Sequence, residues 1–171
     1  MNILAIDPGS EQSGIVVIDE EYHPLWFGKV DNAVLLDTLL SELIKAYAPR
    51  KVVIEMISHY GSGMPAGKTV FDTCIAIGRF EQWLFDNTPI KVSDIETIKR
   101  KEYVAVLCDS PKAKDANVIQ YLIDRFAPNA PNRGKGTKKS PSWFYGFHAD
   151  IWQSYALSVF YLDELKKKGE I

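Results

Sequence analysis

The chain has 171 residues, 46% hydrophobic and 25% charged, with a formal net charge of −2. This is ordinary globular composition, which excludes a disordered or fibrous chain, and the length suits a single domain over residues 1–171 with its own core. No window is apolar enough to span a membrane, so no membrane partner is expected, and the mild acidity excludes a uniformly basic, nucleic-acid-coating surface.

In chain order, the opening MNILAIDPGS enters a strand pattern at once, with no basic n-region and no apolar stretch long enough for export. A cytoplasmic, intracellular protein is therefore expected. Residues 2–6 and 14–18 read as strands around the turn DPGSEQSG, with a third strand near 24–30; connections this short make an antiparallel meander. Val34, Leu35, Leu39, Leu40, Leu43 and Ile44 fall at helical spacing and predict a helix over 32–47, capped by Asp31 or Asn32. Lys51–Glu55 is a β-branched run after Pro49, read as a buried strand. Segment 56–67 holds three glycines and a proline and reads as a loop. Helical periodicity resumes over 68–86, residues 90–92 read as a short fifth strand, and helices are expected near 94–107 and 113–126. Residues 127–147, with three prolines, three glycines and the basic run RGKGTKK, form a long loop before a last helix over 150–167. Cys74 and Cys108 lack partner spacing and read as reduced core thiols.

This order predicts an α/β fold with a five-stranded mixed sheet flanked by helices. A helix crosses between the first and fourth strands, so these are expected to be parallel neighbours, with Asp7 and Glu55 at their adjoining C-terminal ends. Two carboxylates there repel unless a positive charge sits between them, and each follows a buried apolar run. Mg²⁺ or Mn²⁺, with oxygen ligands, is the economical solution. Singly, Asp7 also reads as a turn-former before Pro8-Gly9 and Glu55 as a strand terminator. Asp150, a third acid in the first turn of the last helix, also fits a plain N-cap. Trp143, Phe144, Tyr145 and Phe147 fit a core or helix-docking cluster better than base stacking. The basic run at 133–139 fits a solvated loop or a phosphate-gripping patch.

DPGSEQSG after an opening strand, a strand ending in Glu55 and a late helix opening with an acid resemble the RuvC-type Holliday-junction resolvases, of the ribonuclease-H-like superfamily. The stretch GTKKSPSWFYGFHADIW resembles a phage-type branch. The resemblance implies a ribonuclease-H-like fold and a Mg²⁺-dependent endonuclease, with Mn²⁺ as substitute, cutting branched DNA as a homodimer. It implies that Asp7, Glu55 and Asp150 hold two Mg²⁺, one activating a water and the other stabilising the leaving 3′ oxygen in an in-line attack. The family shows a fourth acid one helical turn after the third. Position 153 here is Gln, whose amide oxygen would ligate weakly or hold a metal-bound water; His148 reads first as a loop histidine near the helix start and second as a source of a ligand or a proton. By the same resemblance Tyr60 would stack on a base, although the residues alone read equally as Tyr60 packing under its own loop, and Lys101, Lys112 and Lys114 lie where the family contacts phosphate, with Lys99 and Arg100 close by. The helix from Lys68, with its wide stripe of Val70, Phe71, Cys74, Ile77, Phe80 and Leu84, would serve the core and a two-fold interface together.

Three other readings compete. A ribonuclease-H-like nuclease acting on ribosomal RNA precursors is usually shorter and lacks the 127–147 loop. Actin-like sugar kinases open with a similar phosphate turn but need about twice this length. A non-catalytic junction-binding protein is favoured if Gln153 marks a decayed site.

Overall fold

The computed structural model describes residues 1–58 and 67–171. Its sheet has the strand order β3-β2-β1-β4-β5, formed by β1 (Ile3–Asp7), β2 (Gln12–Ile18), β3 (Pro24–Asp31), β4 (Lys51–Met56) and β5 (Ile95–Lys99). The short turn after Asp7 makes β1 and β2 antiparallel, as are β2 and β3, whereas the helical crossovers make β1–β4 and β4–β5 parallel. The β1–β4 register sets Ile6 against Ile54, so the next residues along, Asp7 and Glu55, emerge side by side.

Alternation along the strands divides the apolar side chains between two cores. Leu4, Ile6, Ile15, Val17, Val52 and Ile54 belong to one, and Ile3, Ala5, Val16, Ile18 and Val53 to the other. Both faces are covered, so the inner strands are apolar at nearly every position. After α1 (Asn32–Val34), the first core is closed by a π-helical stretch over Leu35–Leu39, α2 (Leu40–Tyr47) and α3 (Lys68–Asn87). On the second face lie α4 (Arg100–Leu107), α5 (Asp115–Phe126) and α6 (Ile151–Lys168). Every residue of α6 from Ile151 to Leu162 is buried, which follows from its position across β1, β2, β3 and β4 with α4 and α5 alongside. Odd-numbered Asp7 and Glu55 share parity with Ala5 and Val53, so both carboxylates point to the α6 face.

The long loop is held by its aromatics. Phe144 and Phe147 are fully buried, meeting Trp152 and Tyr155 of α6, while Phe27 of β3 lies 4.6 Å from Phe147 between ring centres. Trp143 stacks on Phe126 and donates to the Tyr155 hydroxyl at 2.8 Å, so this cluster is core. Tyr145, by contrast, is exposed. Arg125 pairs with Asp163 through both terminal nitrogens, at 2.6 and 2.9 Å, tying α5 to α6.

The structure corrects two sequence expectations. The fifth strand is Ile95–Lys99, not 90–92, and the helix after it begins only at Arg100. As an edge strand β5 buries only Ile98 and leaves Glu96, Thr97 and Lys99 exposed, so its polar residues imitate a helix surface. Cys74 is exposed rather than a core thiol: α3 turns Thr73, Ala76, Ile77, Phe80 and Leu84 inward, and Cys74 lies off that stripe with Phe71 and Ile75. Among the described residues, no helix is long and apolar enough to cross a membrane.

Candidate active site

The site is built around a glycine. In the strand pairing, Asp7 of β1, Gly14 of β2 and Lys29 of β3 stand in one row across the sheet. The first turn of α6 lies on Gly14 so closely that an added Cβ would sit 2.7 Å from both the Asp150 carbonyl oxygen and Ser154 Oγ. With no side chain at position 14, α6 delivers Asp150 between Asp7 and Lys29. The preceding turn is equally constrained. A Cβ on Gly9 would lie 2.4 Å from the Gln12 carbonyl oxygen. Buried Ser13 donates to Asn32 Oδ1 at 2.6 Å, and Asn32 Nδ2 donates to the Gly9 carbonyl at 2.9 Å. Each small or polar residue of the DPGSEQSG turn that makes these contacts thus helps fix where Asp7 ends.

Asp150 does not cap α6 through its side chain; its carboxylate meets Lys29 Nζ at 2.6 Å. Glu55 Oε2 accepts a 2.6 Å hydrogen bond from the Tyr103 hydroxyl of α4. Arg100, also on α4, donates from Nη1 to Gln153 Oε1 and to the Tyr103 oxygen, and from Nη2 to Asp115 Oδ1 at 2.6 Å. Burial is the largest influence on Asp7 and raises its pKa well above the ordinary carboxylate value, with Glu55 and then Asp150 adding repulsion. Glu55 is raised too, first by burial, against the opposing pull of the Tyr103 hydrogen bond and the Arg100 charge. Tyr103 is held protonated by burial and by Glu55, and so remains a donor.

Among the described residues, no three His, Cys, Asp or Glu side chains are gathered closely enough to hold a metal ion as they stand. Asp150 is engaged by Lys29 and Glu55 by Tyr103. The donor chemistry nonetheless fits a hard divalent cation. Asp7, Glu55 and Asp150 lie at one end of the sheet, near enough to repel one another, and the raised pKa of Asp7 marks a place where added positive charge relieves that repulsion. Gln153 turns its oxygen to Arg100.

The remaining residues fall into separate groups. Arg100, Lys101 and Lys112 line one hollow of about 370 Å³ with Val104 and Pro111. Arg100 is drawn inward to its partners, while Lys99, Lys101, Lys112 and Lys114 are exposed. His148 is exposed, and its carbonyl accepts from the Ile151 N–H at the start of α6. Arg133, Lys138 and Lys139 are exposed on the long loop, and Tyr60 lies outside the described residues. Sequence reasoning did not single out Lys29, Tyr103 or Asp115 for the site. Lys29 becomes visible only through the β2–β3 register, Tyr103 reads as an ordinary apolar helix residue, and Asp115 as a first-turn acid.

Neither a protein-family model nor a curated protein sequence matches the chain. Its fold is similar to that of solved structures. A Thermus thermophilus RuvC structure matches with a TM-score of 0.67 at 15% identity, covering 99% of this chain and 97% of the other. T. thermophilus RuvC in complex with Holliday junction substrate matches with a TM-score of 0.70 at 12% identity, covering 98% and 96%. The fowlpox virus Holliday junction resolvase matches with a TM-score of 0.54 at 15% identity, covering 96% of this chain and 100% of that one. At these identities the likeness establishes the RuvC-type, ribonuclease-H-like fold: a five-stranded mixed sheet flanked by helices.

Two outcomes follow from the geometry. Gly14→Ala forces α6 away from β2 and is expected to cost about 1–3 kcal/mol in urea unfolding. An unchanged midpoint would show that α6 does not rest on Gly14. For Asp7 and Glu55 the folded pKa values are raised, so the stability they confer is present below the ordinary carboxylate range and lost as pH rises through the raised values. Metal-free protein should therefore melt higher as pH falls from neutral toward about 5, above the range where Asp163 protonation would oppose the gain. Asp7→Asn should raise the neutral-pH melting temperature by about 3 °C and flatten that slope. A melting curve insensitive to both changes would contradict the electrostatic picture.

Proposed function

We propose that this chain is a structure-selective endonuclease that cleaves branched DNA of the Holliday-junction type by metal-assisted phosphodiester hydrolysis. The observation that carries the reading is the convergence of Asp7, Glu55 and Asp150 at one sheet end, produced by the Ile6–Ile54 register and the docking of α6 on Gly14. Support comes from the RuvC-type fold, seen also in a protein solved with Holliday junction substrate and in a viral Holliday junction resolvase. Asp7, Glu55 and Asp150 would hold Mg²⁺, or Mn²⁺ in its place. Bound there, the metal would supply charge neutralisation for the phosphodiester, an activated water and stabilisation of the leaving oxygen.

The chain's own residues divide the remaining work. Asp150, paired with Lys29 in the structure, would serve as a metal ligand, and the Lys29 ammonium beside it would then be available to contact phosphate. Tyr103 holds the Glu55 carboxylate in one orientation through its hydroxyl. Lys101 and Lys112, beside the same end of α4, would bind the DNA backbone, with Lys99 and Lys114 nearby. Tyr60, on the segment after β4, is our candidate for stacking on a base. We assign the chain as one ribonuclease-H-like domain acting as a homodimer. Exposed Phe71, Ile75 and Phe85 on α3 supply an apolar face for the two-fold contact. We place the protein inside the cell, in a phage-type branch.

Asp7→Asn is expected to abolish cleavage of a four-way junction in Mg²⁺ while retaining or strengthening junction binding, because it removes a negative charge facing phosphate. Comparison with linear duplex and with metal-free reactions completes the assay. Full cleavage by Asp7→Asn would remove Asp7 from the catalytic site. Binding without cleavage by the parent protein, at any Mg²⁺ or Mn²⁺ concentration, would instead indicate a junction-binding protein.

Junction affinity should fall steeply with salt, and Lys101→Ala with Lys112→Ala should reduce the log–log slope by about two. An unchanged slope would move the phosphate grip elsewhere, with the basic run at 133–139 next to test.

A further inference from the structure

We propose that Arg100 is a resident cation of the metal centre, that Gln153 is its anchor rather than a metal ligand, and that the centre consequently takes one divalent ion instead of two. This rests on the nuclease reading above and refines how its charge is arranged.

The hydrogen bonds fix the orientation of Gln153. A guanidinium has only donors, so the carboxamide facing it must present its oxygen. Gln153 Oε1 receives Arg100 Nη1, and the Tyr103 hydroxyl lies 3.3 Å from the same oxygen. Tyr103 has one proton, given at 2.6 Å to Glu55, and its oxygen accepts from Arg100 at 3.1 Å. Arg100, Tyr103, Gln153 and Glu55 therefore form one directed network, in which the guanidinium serves the metal-facing carboxylate through a phenol. Gln153 is itself 9% exposed and cannot swing into solvent to exchange partners freely. A divalent ion on Gln153 Oε1 would stand within a few ångströms of a guanidinium that never loses its charge. The only other donor on that side chain is an NH₂, which cannot ligate a cation.

The charge count agrees. The cleft and its rim bring together four carboxylates, Asp7, Glu55, Asp150 and Asp115, with two fixed cations, Lys29 and Arg100. The surplus is two negative charges, which one divalent ion balances. An acid at position 153 would raise the surplus and offer the ligand for a second ion. Here the neutral amide and the guanidinium together occupy that place, and Asp115, on the first turn of α5, holds the guanidinium from the other side at 2.6 Å.

The test counts Mn²⁺ bound per chain by calorimetry and by electron paramagnetic resonance, on full-length, metal-free protein without DNA. The parent should take up one Mn²⁺ per chain, and Gln153→Ala should still take up one with affinity changed less than about threefold. Arg100→Gln should bind that ion roughly tenfold more tightly, since a like charge is gone, and Arg100→Lys should restore the parent affinity. Arg100→Gln combined with Gln153→Asp should take up two. Each variant is checked for a cooperative melt, and Arg100→Lys with Gln153→Ala decide the matter if Arg100→Gln fails to fold. Two Mn²⁺ on the parent, with one lost in Gln153→Ala, would overturn the proposal and leave the nuclease reading standing. No Mn²⁺ bound by the parent at millimolar concentration would overturn both.

Discussion

The contact on which the rest of the site depends is the approach of α6 to Gly14. A helix buried on nearly every side must lie on a sheet, but how closely its first turn can settle is decided by the residues beneath it. At Gly14 the backbone of Asp150 and the hydroxyl of Ser154 occupy the space a side chain would need. The strand pairing then does the remaining work, setting Asp7 on one side of that glycine and Lys29 on the other. A packing constraint in the second core therefore sets Asp150 beside the pair that the β1–β4 register forms from Asp7 and Glu55.

That arrangement concentrates negative charge where water is scarce, and the protein responds with internal donors. Lys29 engages Asp150, Tyr103 engages Glu55, and Arg100 reaches Gln153, Tyr103 and Asp115 together. Asp7 has the least relief, and burial with two acidic neighbours keeps its pKa high. Buried carboxylates in mutual repulsion are relieved either by protonation or by a cation. The same logic explains why α4 matters beyond packing. Its first turn carries both Arg100 and Tyr103, so one short helix supplies a charge and a hydrogen bond to the centre while Lys101 faces outward.

Much of this was legible in the sequence because it rests on local rules. Short connections dictated the antiparallel meander, and a helix between β1 and β4 dictated their parallel pairing, which was enough to place Asp7 beside Glu55. The strand β5 was misplaced because an edge strand burying one residue of five carries no clear alternation. Cys74 was misjudged because a broad apolar stripe does not say which of its margins meets the core. Lys29, Tyr103 and Asp115 escaped notice for a deeper reason. Their roles arise from cross-strand register and helix docking, contacts between residues 29 and 150, 103 and 55, or 115 and 100 that no local pattern encodes. Gln153 was recognisable as a departure, yet only its contact with Arg100 shows what the departure does.

The β1–β4 register and the docking of α6 on Gly14 would together make Asp7, Glu55 and Asp150 one cation-binding centre. The most direct measurement is a crystal structure of the protein soaked in Mn²⁺, with anomalous scattering used to locate the ion. The expected result is a Mn²⁺ peak ligated by oxygens of Asp7, Glu55 and Asp150, with the Asp150 carboxylate turned away from Lys29 and Gln153 still bonded to Arg100. A peak outside this carboxylate set, or none while Asp150 remains on Lys29, would contradict it.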